Sequence, residues 1–525
     1  MLEKERLKRF LWIIPSIVAF LVALIPTLTS QWPLTLDIFY HVHIAQVYSQ
    51  YGLTLIDPLI DQPSGSPIAY PPLFSLLIVF LGSIFKINYF LVALYLQPFL
   101  ALFIVLSVSY VAKKFYGNIA GMSAGFLMIS SYLFSRLVSP LPETMALIFV
   151  PLIVYLYYKS IVSKNYKYAL LSSFLFLVVI LTHQATTLLI FLIITSITIV
   201  VGILMREKRF LISYPLFLSL PLILGILVSI TALIIAPDYV HKILTYGIST
   251  VTGYNTSLPI NDPISGFKYL AYLGIVLIFA IIGAIEAIKR RTMRDLFIFV
   301  WIIVIFLMSN SYWFGVNVYT IRLLVHLLIP LSILGGMGLS YLYMDYKNAE
   351  FPNTSIRSVF LIIILIISTL FAISTVTAQN FNTLPKYNSQ PYGLNTLTIP
   401  QLTPPTTSDI ELANWFNQNG NKKLALASNN YYTDQFLLAT TGQPIASVAS
   451  SEHIIEWGFS KTELAQKNIG YYVYDKRLNF SGNPSQKVVS EGTFIFYNNN
   501  DNITSLLPSN SLLVYENKDY KVFKI

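Results

Sequence analysis

Residues 71–85 read PPLFSLLIVFLGSIF, and whether they cross a bilayer decides the side on which every later segment lies. The run is apolar throughout but short. As a helix rising roughly 1.5 Å per residue it falls well below a hydrocarbon core of roughly 30 Å. The question arises because the chain is far too apolar for a soluble protein: 525 residues, 55% hydrophobic and 11% charged, with a mean hydropathy of +0.65. A polytopic α-helical membrane protein is expected. It has no cysteine, so neither disulfides nor thiolate metal sites are open to it. The opening MLEKERLKRFLWIIPSIVAFLVALIPTL has the basic start of a signal peptide, but its apolar run is long and no small-x-small site follows. It reads as an uncleaved first span.

Charge settles the short run. Residues 378 onward carry eleven basic and eleven acidic groups, so the net surplus of ten lies wholly in residues 1–377. There it falls in short clusters between apolar runs: KERLKR, AKKFYG, SKNYK, REKR and KRRTMR. Such clusters mark cytoplasmic loops rather than a nucleic-acid-binding face, and no nucleic-acid partner is expected. If residues 71–85 dip into the outer leaflet and return, every cluster falls inside, and only Lys86, Arg136, Lys242, Lys268 and Arg322 face out. If they cross, KKFYG is stranded outside.

The crossings then run near 11–30, 88–112, 118–134, 144–160, 167–184, 186–205, 210–236, 267–288, 295–310, 321–343 and 357–377. That is about eleven to twelve transmembrane helices, counting the short run or not. The N-terminus is cytoplasmic, and residues 31–86 form an outer loop. A membrane domain of residues 1–377 leads to a Pro-, Thr- and Asn-rich linker, 378–407, and an extracytoplasmic α/β domain, 408–525. In that domain SDIELANWFNQNG reads as a helix opened by a Ser408/Glu411 capping box. KLALAS, PIASVAS, GYYVYD and TFIFYN read as strands, and LLVYENKDYKVFKI as a terminal hairpin. Sequons stand at Asn479 and Asn502 on the outer side and at Asn353 in a loop read as cytoplasmic, so they do not discriminate sides.

The unusual residues gather on one side. Asp37, Tyr40, His41 and His43 open the first outer loop, which also holds Asp57, Asp61 and YPPLF. The second outer loop, SRLVSPLPET, pins Arg136 close to Glu143. His183 lies near the outer end of a span, and Arg322 begins another in YTIRLLVHLLIPLSILGGMGL. Each has a structural role to weigh: Tyr40 and His43 in the headgroup belt, Glu143 against a helix dipole, Arg322 snorkelling to headgroups, His183 as a packing histidine. In a helix over 38–50, Asp37, Tyr40 and His41 share a face that His43 does not, which argues against a two-histidine metal site.

The order of these features is specific even where each is loose: basic start, first span, DxxYH, YPPLF, a short second loop with an acid before ALIF, and an arginine heading PLxxLGGxGL. It resembles the type C glycosyltransferases (GT-C), most closely oligosaccharyltransferase catalytic subunits and protein mannosyltransferases. The resemblance covers residues 1–377 in layout. It implies an enzyme in the cell membrane that moves a sugar from a polyprenyl-phosphate or polyprenyl-diphosphate donor, on the outer face, to a glycan, lipid or protein acceptor. Asp37 and Glu143 match the family's catalytic acids, with Asp37 as base or as ligand of a divalent cation, Mg or Mn, shared with Glu143. Arg322, with Arg136, is matched to donor phosphate, and Tyr40, His41 and His183 line the substrate. Two departures stand out. Leu141 occupies the place of a further acid in the second loop, leaving metal dependence open, and SNNYYTDQF replaces the acceptor motif WWDYG, so transfer of whole glycans to asparagine is not implied.

Glycosyl transfer needs a carboxylate to activate the acceptor and cations to stabilise the departing phosphate. Asp37 and Arg322 are suited to those tasks. A transporter or flippase is the competing class, but it concentrates charge near the midplane on broken or repeated helices. A catalytically inactive GT-C relative acting in assembly is the third. The topology predicts that accessibility labelling at positions 115 and 450 reports opposite sides of the membrane; labelling of both from one side would overturn it.

Overall fold

The computed structural model describes residues 10–525 apart from 36, 69, 236, 239, 242–265, 316–319, 349–353, 378–395, 399–404, 448–459, 478, 482–487, 492–493 and 498–506. All eleven expected crossings are helices. Seven helical stretches are long and apolar enough to span: Leu11–Thr29, Tyr89–Tyr116, Pro142–Val162, Gln184–Met205, Phe210–Ile234, Arg322–Tyr343 and Ser358–Thr377. The other four segments hold shorter helices, Asn118–Ile129, Lys167–Ile180, Ile275–Arg290 and Met293–Ser309.

The Thr320–Asn348 helix is the axle of the bundle, its apolar stretch wholly enclosed, whereas Phe210–Ile234 is almost bare to the lipid side. Glycines set the close packing. A Cβ on Gly338 would run into the Phe279 carbonyl and the Gly283 backbone, and one on Gly336 into the Ala120 carbonyl. LGGMGL is therefore a small-residue seam that lets backbones approach, as membrane helices require.

The bundle has two chemically distinct ends. At one, Tyr116 donates to Asp295 at 3.0 Å, Arg294 lies over the Tyr116 ring and Lys113 over Trp12. Phe115 packs edge-on against Tyr158, and Arg209 donates to the Ile161 carbonyl. Four of the five basic clusters thus share this end; KERLKR falls on residues that are not described. The Tyr89–Tyr116 helix, 28 residues and roughly 42 Å long, separates it from the other end.

At that other end the segment 31–86 leaves and returns. Trp32 packs on Phe90 with ring centroids 5.3 Å apart, and Leu34 N–H donates to Gln97 at 2.7 Å, so the start of the segment is fastened to the first turns of the Tyr89–Tyr116 helix. Along the segment come the helix Asp37–Tyr51, a short antiparallel hairpin Ile56–Asp57 with Ser66–Pro67, and the helix Leu73–Phe85, 13 residues long. His43 turns away from His41 and holds Asp57 at 2.7 Å, both buried, which braces the hairpin.

The C-terminal domain carries a four-stranded sheet in the order Ala425–Ser428, Ile469–Asp475, Tyr520–Lys524, Leu512–Glu516. The first pair is parallel and the other two are antiparallel. KLALAS, GYYVYD, TFIFYN and the terminal hairpin form strands as expected, but the described residues of PIASVAS contribute only a bridge at Ile445. That bridge has a use: Ile445 lies between Leu426 and Ile60 of the outer loop. Asp61 accepts from Ser447 N–H at 2.9 Å, Gln46 donates to the Ala439 carbonyl at 2.9 Å, and Phe39 meets Phe436 edge-on. Loop and domain therefore share one core.

The helix expected to start at Ser408 is capped two residues earlier. Thr406 and Asp409 form the box on Thr407–Asn419, so the Ser408/Glu411 reading is corrected. Both patterns sit in TTSDIE, and burial decides, because Asp409 is needed inside. Thr396–Thr398, within the expected linker, pairs with Asn479–Ser481, which places the Asn479 sequon on a strand. Asn353, Asn502 and most of the linker lie outside the described residues.

Arg477 explains the demand for Asp409. It donates to Asp409 at 2.9 Å and Asp475 at 3.0 Å, both carboxylates fully buried, and stacks on Tyr520. Arg477→Met strands two buried acids, a change that costs about 3–5 kcal/mol. The outer domain of the full chain in detergent should then lose protease resistance at a lower temperature than the wild type; equal resistance would refute this account.

Candidate active site

Each candidate side chain is placed by a helix end. Asp37 is the first residue of Asp37–Tyr51, and the next turns bring Tyr40 and His41 into the interior on the same side. Arg136 rides a one-turn helix, Phe134–Val138. Pro142 starts the helix Pro142–Val162, so Glu143 falls in its first turn, facing back to Arg136. His183 is the N-cap of Gln184–Met205. Arg322 stands at the start of the described part of the central helix.

The structure brings all seven together around a residue whose importance the sequence reading did not single out, Tyr70 of YPPLF. Its ring centroid lies 4.8 Å from His41, 6.2 Å from Tyr40 and 6.3 Å from His183. Burial pushes the Tyr70 phenol well above its ordinary range; the charges of Asp37 and Glu143 push it further, and those of Arg322 and Arg136 pull it back. Two acids and two cations therefore surround one phenol. Its place is fixed from below, where Leu73 N–H donates to the Leu181 carbonyl at 2.9 Å.

Electrostatics divide the group. Burial, with His183 nearby, lowers the His41 imidazole to about 3, so it meets a ligand uncharged at neutral pH. Tyr40 is likewise held protonated by burial, with Tyr431 of the outer domain and Asp57 adding to the shift. Glu143 is tied down: Arg136 Nε and Nη2 both reach Oε2, at 3.0 and 2.6 Å. Its Oε1 lies 3.8 Å from His326 Nδ1.

His326 was missed by the sequence reading. One turn after Arg322 in IRLLVH, it looks like one more position in an apolar span, and only the i, i+4 spacing from the arginine hints otherwise. Its Nε2 lies 3.0 Å from Thr186 Oγ, which lies 2.8 Å from His183 Nδ1. A polar thread thus runs from Arg136 through Glu143, His326 and Thr186 to His183.

A divalent cation shared by Asp37 and Glu143 does not fit the residues as placed. Both carboxylate oxygens of Glu143 face nitrogen partners, and among the described residues no three His, Asp or Glu side chains gather as a metal cradle.

Comparison with known proteins follows this geometry. Residues 12–256 match the family model described as oligosaccharyl transferase STT3, N-terminal. No curated protein matches the chain in sequence. Among solved structures, the archaeal oligosaccharyltransferase AglB from Archaeoglobus fulgidus, in complex with an inhibitory peptide and a dolichol-phosphate, superposes with a TM-score of 0.65 at 12% identity, over 90% of this chain and 70% of that one. The same enzyme in complex with Zn and sulfate gives 0.58 at 11%, over 89% and 68%. ArnT from Cupriavidus metallidurans, bound to undecaprenyl phosphate, gives 0.61 at 11%, over 97% of both chains. Residues 12–256 thus resemble the N-terminal part of oligosaccharyl transferase STT3, and the chain shares the fold of the AglB oligosaccharyltransferase and of ArnT.

Proposed function

We propose that the chain transfers a sugar from a polyprenyl-phosphate or polyprenyl-diphosphate donor to an acceptor at the extracytoplasmic surface, with the reacting bond held beside Tyr70. The observation that carries this reading is the convergence of Asp37, Glu143, Arg136 and Arg322 on that ring. The convergence lies at the end of the bundle opposite the basic clusters and under the outer domain. The N-terminus is then cytoplasmic and the domain from about 408 to 525 extracytoplasmic. A lipid donor suits such a place, because its tail stays in the bilayer while its phosphate meets residues at the mouth. The dolichol-phosphate of AglB and the undecaprenyl phosphate of ArnT support the donor class.

The roles follow from charge and position. Asp37, whose carboxylate is not engaged by Arg136, takes the proton of the acceptor hydroxyl or amide as that atom attacks the anomeric carbon. The bond from that carbon to the phosphate oxygen breaks, and Arg322 stabilises the released charge. Arg136 is shared between Glu143 and the phosphate, so Glu143 sets how far Arg136 reaches. Neutral His41, with Tyr40, offers polar contacts without a competing charge. Zn in the AglB complex keeps a divalent ion in view for the family, and the donor set here favours Asp37 as base over Asp37 as metal ligand. Among the described residues the candidate charges gather at one end of the bundle, which does not support a transporter reading.

Asp37→Asn preserves size and removes the charge, so it should leave the protein inserted and lower transfer by orders of magnitude. Glu143→Gln should lower it too. Sugar leaving a radiolabelled polyprenyl-linked donor, followed with and without chelator at equal protein, reads this out. Near-normal transfer by Asp37→Asn would sink the assignment, and a chelator effect on the wild type would move Asp37 to the metal reading.

Arg322→Ala should weaken donor binding by about tenfold or more, since a charge-assisted phosphate contact is worth roughly 1.5–3 kcal/mol. Lysine should restore only part, as it lacks the fork. Unchanged affinity for polyprenyl phosphate would return Arg322 to headgroup snorkelling.

A further inference from the structure

Thr186 lies in the first turn of Gln184–Met205, fully buried, and makes three contacts with two histidines. Its backbone N–H donates to His183 Nδ1 at 3.2 Å, and its hydroxyl lies 2.8 Å from that nitrogen and 3.0 Å from His326 Nε2. His326 in turn is anchored on the central helix, with Nδ1 3.4 Å from the Arg322 carbonyl and 3.8 Å from Glu143. One hydroxyl therefore joins the Arg322 turn to the residue that caps the next helix.

The backbone contact fixes a tautomer. A ring nitrogen that accepts an N–H carries no hydrogen of its own, so His183 is neutral and holds its proton on Nε2. That nitrogen has no hydrogen-bond partner among the described residues, and the ring stands beside Tyr70, within the group of charges described above. The ring is only partly buried, so this N–H is left open as a donor that an oxygen arriving with the ligand can meet.

We propose that Thr186 is a positioning residue for sugar transfer: its amide and hydroxyl hold His183 as an Nε2–H donor and tie the ring to His326, so that this N–H meets an oxygen of the lipid-linked donor. The inference rests on the reading of the chain as a lipid-dependent glycosyltransferase. The oxygen belongs to the donor's phosphate or to its sugar, and both present the same acceptor chemistry. The hydroxyl matters because a capping contact from the amide alone leaves the ring free to tilt, while the link to His326 sets its angle from the same helix that carries Arg322.

The test uses the full chain in detergent with two probes, polyprenyl phosphate and a polyprenyl-phosphate-linked hexose. Thr186→Val keeps the volume and the amide and deletes the hydroxyl, and should weaken binding about tenfold; Thr186→Ser should restore it. Weakening for both probes assigns the contact to phosphate, and weakening for the hexose-linked probe alone assigns it to the sugar. Nitrogen-15 spectra of the histidine rings, assigned by loss of one signal in His183→Asn, should show His183 protonated on Nε2 and bare on Nδ1. Unchanged binding of both probes in Thr186→Val, or a proton on His183 Nδ1, would overturn the proposal. Transfer by the wild type from the hexose-linked probe, followed alongside, keeps failure of the glycosyltransferase reading separate from failure here.

Discussion

Glu143 is a carboxylate whose side chain is only 7% exposed, set where a helical bundle opens toward water. Such a group is tolerable only with a cation in contact, and removing that cation costs about 3–5 kcal/mol. Arg136 supplies it from seven residues away, because Pro142 starts a new helix just after the one-turn helix that holds the arginine. Once that pair is in place, the rest of the mouth is constrained. His326 must face Glu143, so the central helix is fixed in rotation, and the same rotation sets where Arg322 emerges. The seam at Gly336 and Gly338 then fixes how deep the helix sits. Rotation and depth of one helix, set by one ion pair and one glycine seam, determine where Arg322 stands relative to Asp37.

The outer loop and outer domain complete the site by covering it. His43 and Asp57 are a buried pair whose effect is mechanical: they brace the hairpin whose continuation, Leu59 to Asp61, is stitched to Ile445 and Ser447. The Asp37–Tyr51 helix is thereby held between bundle and domain, with Phe39 against Phe436 and Tyr40 within reach of the Tyr431 charge. Exclusion of water strengthens every electrostatic interaction beneath. His41 is buried beneath this cover, and that burial lowers its imidazole.

Much of this was legible in the sequence, for reasons that differ by residue. The helices were readable because apolar runs of near-membrane length admit few other structures. The grouping of the basic clusters was readable because they recur at short intervals between apolar runs, and the structure gathers four of them at one end. Arg136 and Glu143 were readable as neighbours because only seven residues and two prolines separate them. Tyr70 was not, since its position depends on the Leu73 and Leu181 contact between segments more than a hundred residues apart. Nor was His326, because a single polar residue in an apolar helix looks alike whether it fills the core or lines a site. The Ser408/Glu411 cap failed for a related reason. Two capping patterns overlap in TTSDIE, and the buried Arg477, far along the chain, decides between them.

The distribution of charge also bears on whether such a molecule works by chemistry or by movement. A transporter needs two packings of similar energy around a site near the midplane. Here the central helix is enclosed along its length, and any side chain on Gly336 or Gly338 would collide with a neighbouring backbone, so a sliding or rocking motion at that seam would lose its closest contacts. The ionisable groups at the mouth are joined through Arg136, Glu143, His326, Thr186 and His183 into a thread that shares its geometry with the rigid helices beneath it. A rigid, one-ended and polar mouth is what catalysis by preorganised charge requires.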